Sequence, residues 1–213
     1  MWEKLDKRLE VWNVKIQKTK DGWLKQPLFY LHKLGLTGNI ISTAKVALAV
    51  IAFWVVKYSL PGAVVIFLSS YIFDVFDGSL ARYSGQNSDR GKFIDVLTDQ
   101  TVYALAVLAM IRIDLLNVKA LAYNLLAVPV VYLLVIIQRN ENRPSDWLIK
   151  PVAKLNYYKS PLYAAVIGLT AGWFDVGFAN GVLYVSNAVV TLHIIYAYII
   201  IVRKHDSRKE EKR

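Results

Sequence analysis

DVFDGSLARYSGQNSDRGKFIDVLTD, running from Asp74 to Asp99, carries four aspartates between two apolar runs: Asp74, Asp77, Asp95 and Asp99. The spacing is D-x2-D-G-x2-A-R-x8-G-x3-D-x3-D. An ionised carboxylate near hydrocarbon costs about 2.5–3.5 kcal/mol at a helix centre. A chain that keeps four of them needs something to offset that cost, and divalent metal is the natural candidate.

The residues outward from this stretch set its surroundings. The chain has 213 residues, 55% of them apolar and 13% aromatic, with a net charge of +10. The apolar residues come in blocks, as membrane spans do. A basic nucleic-acid binder would mix its charges through the chain, so no nucleic acid is expected as partner. With no cysteine, disulfides, iron–sulfur clusters and cysteine zinc sites are excluded. His32, His193 and His205 are far apart and show no metal-ligand spacing.

Six apolar segments stand out, at 38–57, 61–81, 92–112, 119–137, 160–175 and 181–202. Each is near the roughly 20 residues needed to cross a bilayer. The fold class expected is an all-α integral membrane protein, a six-transmembrane-helix bundle. Lys and Arg orient it: 22 of the 26 lie in the first 37 residues, around 82–92, in 138–159 and in the tail from Arg203. The positive-inside rule then puts both termini and the 82–92 loop in the cytoplasm.

The opening polar segment is a separate element, with no long apolar core of the kind a signal peptide has. Trp2, Leu5, Leu9, Trp12 and Ile16 recur at helical steps among Lys, Arg, Glu and Asp. That pattern predicts an N-terminal amphipathic helix lying in the cytoplasmic interface, against membrane lipids. Packing of the same stripe on protein is the alternative. The chain thus divides into a juxtamembrane segment (1–36), a six-helix transmembrane domain (37–203) and a charged tail (204–213).

If 74–82 ends the second span, Asp74 and Asp77 share a helix face, as do Asp95 and Asp99 on the third. A turn rich in Ser, Gly and Asn would bring these two helices back antiparallel, so that the carboxylate pairs face each other. Four such oxygen donors suit one or two hard cations, Mg²⁺ or Mn²⁺. Gly78, Gly85 and Gly91 leave room for close approach, and Arg82 offers a fork suited to phosphate. The site therefore points to a phosphate-bearing substrate entering from the cytoplasm. Internal ion pairs with Arg82, Arg90 and Lys92 are the competing account of the acids.

Asp74, Asp77, Gly78, Ala81, Arg82, Gly91, Asp95 and Asp99 fill every fixed place of the signature of the CDP-alcohol phosphotransferases, and the chain resembles that family. Upstream, Leu36 to Lys45 resembles the family's usual opening of the first span, with Gly38 in place of a proline, Ser42 of a threonine and Lys45 of an arginine. From sequence, Lys45 either snorkels to the interface or reaches a bound phosphate.

The resemblance implies that a CDP-linked lipid donor binds with its pyrophosphate on two metal ions, that an acceptor hydroxyl attacks one phosphorus, and that CMP leaves. It implies Asp74, Asp77 and Asp95 as metal ligands, and Asp99 as general base that also touches metal. Asn39, Gly78, Ala81, Arg82 and Gly85 would line the CDP pocket. It also implies a homodimer. The length is that of the branch using CDP-diacylglycerol or a CDP-diether lipid with a small polar alcohol acceptor. The other branch, which passes CDP-choline or CDP-ethanolamine to a diglyceride, is usually longer. Arg139, Arg143 and Lys159 stand where inositol-type members hold the acceptor's phosphate; ordinary positive-inside charge is the alternative. Inositol phosphate is favoured over glycerol 3-phosphate as acceptor. An ion-coupled transporter would predict inverted repeats with polar groups near mid-membrane, whereas the acidic motif has no second copy and its four acids sit at one end. Against a catalytically dead scaffold stands the complete motif.

Overall fold

The computed structural model describes residues 15, 19–85, 88–140 and 159–210, and among them every regular element is helical. In chain order these are α1 (Lys25–Lys33), α2 (Gly38–Val55), α3 (Leu60–Tyr83), α4 (Asp89–Arg112), α5 (Val118–Asn140), α6 (Ser160–Thr170) and α7 (Val176–Glu210). A short helical stretch at 19–23 precedes α1. The amphipathic stripe from Trp2 to Ile16 lies outside the described residues.

Among the described residues, four helices are long and apolar enough to cross a membrane: Gly38–Val55, Leu60–Tyr83, Phe93–Arg112 and Val176–Ile199. The chain is accordingly a multi-pass membrane protein. Val118–Leu134 and Ser160–Thr170 are apolar but shorter. The 11 residues of α6 extend about 16 Å at 1.5 Å per residue, against a hydrocarbon core of about 30 Å. The faces turned outward carry large apolar side chains, among them Trp54, Val65, Leu97, Leu126, Val185 and Leu192, as hydrocarbon contact requires.

Local chemistry sets the starts and stops. Thr37, Ser59 and Ser88 each precede a span and accept a hydrogen bond from the backbone N–H three residues on, at Ile40, Gly62 and Gly91. These caps satisfy donors that the helix cannot. Gly85 closes α3 with φ +67°, its N–H bonded back to Arg82 O, a left-handed stop that favours glycine. Gly172 does the same after α6, with φ +71°.

The chain divides into two compact units, Met1–Leu115 and Leu116–Arg213. In the first, α2 packs extensively on both α3 and α4, whereas α3 and α4 barely meet. The expectation that the two acidic helices fold directly onto each other is corrected here: α2 lies between them. The reason is a stripe of Gly38, Ser42, Lys45, Ala49 and Ala52, all buried, at steps of four and three on one face. Small residues let helices approach closely in a membrane. At Gly38 the approach is closest, since a Cβ there would stand 2.8 Å from Asp77 O and 3.2 Å from Ala81 Cβ. The departure from proline at Gly38 therefore matches a site where α2 lies against the α3 backbone.

Apolar clusters close both ends of this unit. Leu28 of α1 packs with Ile41 and Leu80, joined by Leu24, Leu31, Leu36 and Phe76. At the other end Val56, Ala63 and Ala109 pack with Phe53, Leu60, Phe67 and Ile113, and Arg112 lies over the rings of Phe53 and Trp54 at 4.8 and 4.4 Å. In the second unit, α5 and α7 are joined by polar contacts: Asn124 Nδ2 donates to Asn187 Oδ1 at 2.6 Å, and Asn187 Nδ2 to Ala120 O at 2.9 Å.

Candidate active site

α3 ends with Asp74 and Asp77 one turn apart, α4 begins with Asp95 and Asp99 one turn apart, and α2 brings Ser42 and Lys45 between them. One carboxylate oxygen each from Asp74, Asp95 and Asp99 lies within 4.8 Å of the others. Hard, anionic oxygens at that spacing fit Mg²⁺ or Mn²⁺.

The four acids differ in exposure. The side chains of Asp74, Asp95 and Asp99 are 42%, 46% and 41% exposed, while Asp77 is 4% exposed. Three carboxylates thus form an open rim and Asp77 forms the floor. Asp77 Oδ2 accepts a hydrogen bond from Ser42 Oγ at 2.8 Å, which satisfies part of a group that would otherwise be costly to bury.

At the centre stands an ammonium. Lys45 Nζ lies 2.7 Å from Asp74 Oδ1, 2.9 Å from Asp77 Oδ2, 3.2 Å from Asp95 Oδ1 and 2.8 Å from Asp99 Oδ1. Its side chain is 2% exposed, so it does not snorkel. The acids do form an internal ion-pair cluster, but with Lys45, a partner the sequence does not single out. Arg82 pairs elsewhere, and the side chains of Arg90 and Lys92 lie outside the described residues.

Arg82 is held from the N-terminal side. Its Nε and Nη2 donate to the two oxygens of Asp21, each at 2.9 Å, and Nη2 also to Ser79 Oγ at 3.2 Å. A two-point fork fixes the guanidinium plane. The nearest atom to a Cβ at Gly78 would be Arg82 Nη1 at 3.4 Å, so the space that Gly78 leaves lies beside this fork. Ala81 is part-buried against Gly38, and Asn39 Oδ1 stands 3.7 Å from a Cβ placed at Gly91. Gly85, expected in the nucleotide pocket, has an evident role as the helix stop.

The Arg82 hydrogen bonds hold the Asp21 carboxyl below its ordinary value of 3.8. A lowered carboxylate stabilises the fold above that ordinary value, and the gain is lost as pH falls through the lowered one. Asp21→Asn is therefore expected to lower the thermal unfolding midpoint at pH 7, by a loss of about 0.5–1 kcal/mol. Near pH 3 the difference from wild type should shrink. Equal losses at both pH values would mean that the pair is not the cause.

Of the acceptor residues, Arg143 lies outside the described residues, and Arg139 falls in α5 with its side chain undescribed. Lys159 belongs to the second unit. It is buried just before α6, with Nζ 5.9 Å from the Tyr132 ring centroid. Gln100, beside Asp99, keeps both amide atoms buried without a hydrogen-bond partner.

The model of the CDP-alcohol phosphatidyltransferase family matches residues 36–195. This chain belongs to that family. Its chemistry is transfer of a phosphatidyl-type group from a CDP-alcohol, and the acidic cluster lies inside the matched region. No curated protein and no solved structure matches the chain.

Sequence reading did not place Ser42 or Lys45 against the aspartates, although it allowed Lys45 to reach a bound phosphate, and it did not single out Asp21. The first two had a signal, since they fall on the stripe from Gly38 to Ala52. Asp21 lies 61 positions from Arg82, and no spacing rule links them.

Proposed function

We propose that the protein transfers a phosphatidyl-type group from a CDP-linked lipid to the hydroxyl of a small polar alcohol, releasing CMP, as a step of phospholipid synthesis. The observation that carries this reading is the convergence of the motif's carboxylates on one point, with three of them open to solvent. Asp74, Asp77, Asp95 and Asp99 would hold Mg²⁺ or Mn²⁺, as two ions. Bound there, divalent metal neutralises the transferring phosphoryl group and the leaving phosphate.

The chain's own residues do the rest. Arg82, its plane fixed by Asp21, binds a donor phosphate, and Gly78 leaves room beside it. Asn39 and Ala81 line the same side, with Gly85 ending the helix that carries them. Asp99, on the open rim, takes the proton of the acceptor hydroxyl. The hydroxyl oxygen bonds to the lipid phosphorus, the bond from that phosphorus to CMP breaks, and CMP carries away the charge. Proximity then does much of the work, as in other phosphoryl transfers.

We further propose six spans, the fourth and fifth being the apolar segments 119–137 and 160–175, with both termini and the site on the cytoplasmic side. The interfacial N-terminal helix, the segment limits 1–36, 37–203 and 204–213, and a homodimer belong to the same reading. A phosphorylated polyol suits Arg139, Arg143 and Lys159 by charge, with inositol phosphate ahead of glycerol 3-phosphate.

The test is CMP release by purified protein with CDP-diacylglycerol and Mg²⁺, offered inositol phosphate, inositol, glycerol 3-phosphate or serine, with EDTA as control. Metal-dependent release with one acceptor is expected. Silence across the panel, with CDP-choline plus diglyceride active instead, would move the chain to the other branch.

A further inference from the structure

We infer that Lys45 is a built-in cation that holds the metal seat when no metal is bound and must leave it for metal to enter, so that Lys45 sets the metal affinity of the site. The inference rests on the metal-dependent reading above. Its ground is geometric. A single point lies within 2.7–3.2 Å of one oxygen from each of the four aspartates, and the ammonium fills it. The oxygens turned toward it on the rim are Oδ1 of Asp74, Asp95 and Asp99, the residues whose spacing suits a cation. A metal ion drawing on those oxygens at about 2.1 Å needs the space that Nζ occupies.

Charge points the same way. Four carboxylates at the mouth of a membrane domain repel one another, and one ammonium at contact distance offsets part of that repulsion without any ligand. Divalent metal brings more charge to the same oxygens, and the ammonium then becomes a like charge beside it. Lysine suits the role: its ammonium is a compact point charge on a flexible four-carbon stem, so it can withdraw without movement of α2. The partly open rim gives metal its approach, while Lys45 and Asp77 lie beneath.

Two measurements on the full chain in detergent test this, both after EDTA treatment and desalting. Lys45→Met removes the charge and keeps most of the volume. Titration with Mn²⁺, followed by the electron paramagnetic resonance of the free ion, should give binding at least about tenfold tighter than wild type. Unchanged or weaker binding would overturn the inference, because metal and lysine would then share the site. The second measurement needs no variant and stands if Lys45→Met does not fold. Acylation by a water-soluble amine reagent, read by peptide mass spectrometry, should leave Lys45 nearly unlabelled without metal and label it several-fold more with Mn²⁺. Lys33 and Lys57, both exposed, serve as references. Mn²⁺ binding with no change at Lys45 would also overturn the inference. If wild type and variant both fail to bind Mn²⁺, the metal reading itself falls, and this inference with it.

Discussion

Asp99→Asn is expected to stop turnover while leaving CDP-lipid binding nearly intact. The proton of the acceptor hydroxyl needs a carboxylate within hydrogen-bond reach, and such a base contributes about 10²–10⁴-fold. Asparagine keeps the shape and a carbonyl oxygen but cannot accept that proton. Asp99 stands one turn beyond Asp95 on the same face of α4 and is 41% exposed, open to an incoming alcohol. In the proposed reading donor binding draws on Arg82 and on metal held by the other three aspartates as well, and the substitution removes none of these groups. Single-turnover CMP release and equilibrium binding of a CDP-lipid separate the two quantities. Wild-type turnover in the variant would remove Asp99 from the role of base. Lost binding together with lost turnover would make it chiefly a ligand.

The helices were legible because apolar runs of span length leave few alternatives. The first three expected segments coincide with α2, α3 and α4 to within about three residues. Their starts carried a further signal in Thr37, Ser59 and Ser88, each a capping residue placed before an apolar run. The segment at 160–175 is shorter as a helix and ends at Thr170. Gly172 with its positive φ stops it, and the Phe174 ring lies where a Cβ on Gly168 would stand. The aspartates were legible because acids at helical spacing beside hydrocarbon are costly without a purpose.

The packing order was not legible in the same way. Periodicity says which residues share a face, not which helix that face meets. The loop between α3 and α4 suggested direct pairing, yet the small-residue face of α2 fits between them. Lys45 was read by its distance from the helix start and its long stem, which left the interface and a bound phosphate as equal alternatives. What decides its place is the sum of four charges brought together by tertiary structure. A register reading of Gly38, Ser42, Lys45, Ala49 and Ala52 would have placed it on the buried face and made a carboxylate partner the natural expectation.

The division of the acids into rim and floor leads to the second large effect. Stripping divalent metal from the wild type should reduce CMP release to background, and Mg²⁺ or Mn²⁺ should restore it, since positioning and charge neutralisation carry nearly all of phosphoryl transfer. The rim and the floor should then fail differently. Asp74 is 42% exposed, and Asp74→Asn removes one anionic oxygen donor from an open position. The metal concentration for half-activation should rise by about tenfold or more, with little thermal loss. Asp77→Asn should raise that concentration as well, and it should also lower the thermal midpoint. Asp77 is buried and holds both Ser42 and Lys45, and breaking a buried charged contact costs about 3–5 kcal/mol where nothing replaces it. Three other carboxylates still face Lys45, so the observed loss should fall below that range. Metal titrations of CMP release, paired with thermal unfolding in EDTA, resolve the two signatures. Identical behaviour of the two variants would mean that Asp77 is a ligand like the others and that the floor has no separate structural part. A thermal loss without a shift in metal requirement would instead make Asp77 the support that holds α2 and α3 at the distance the rim needs.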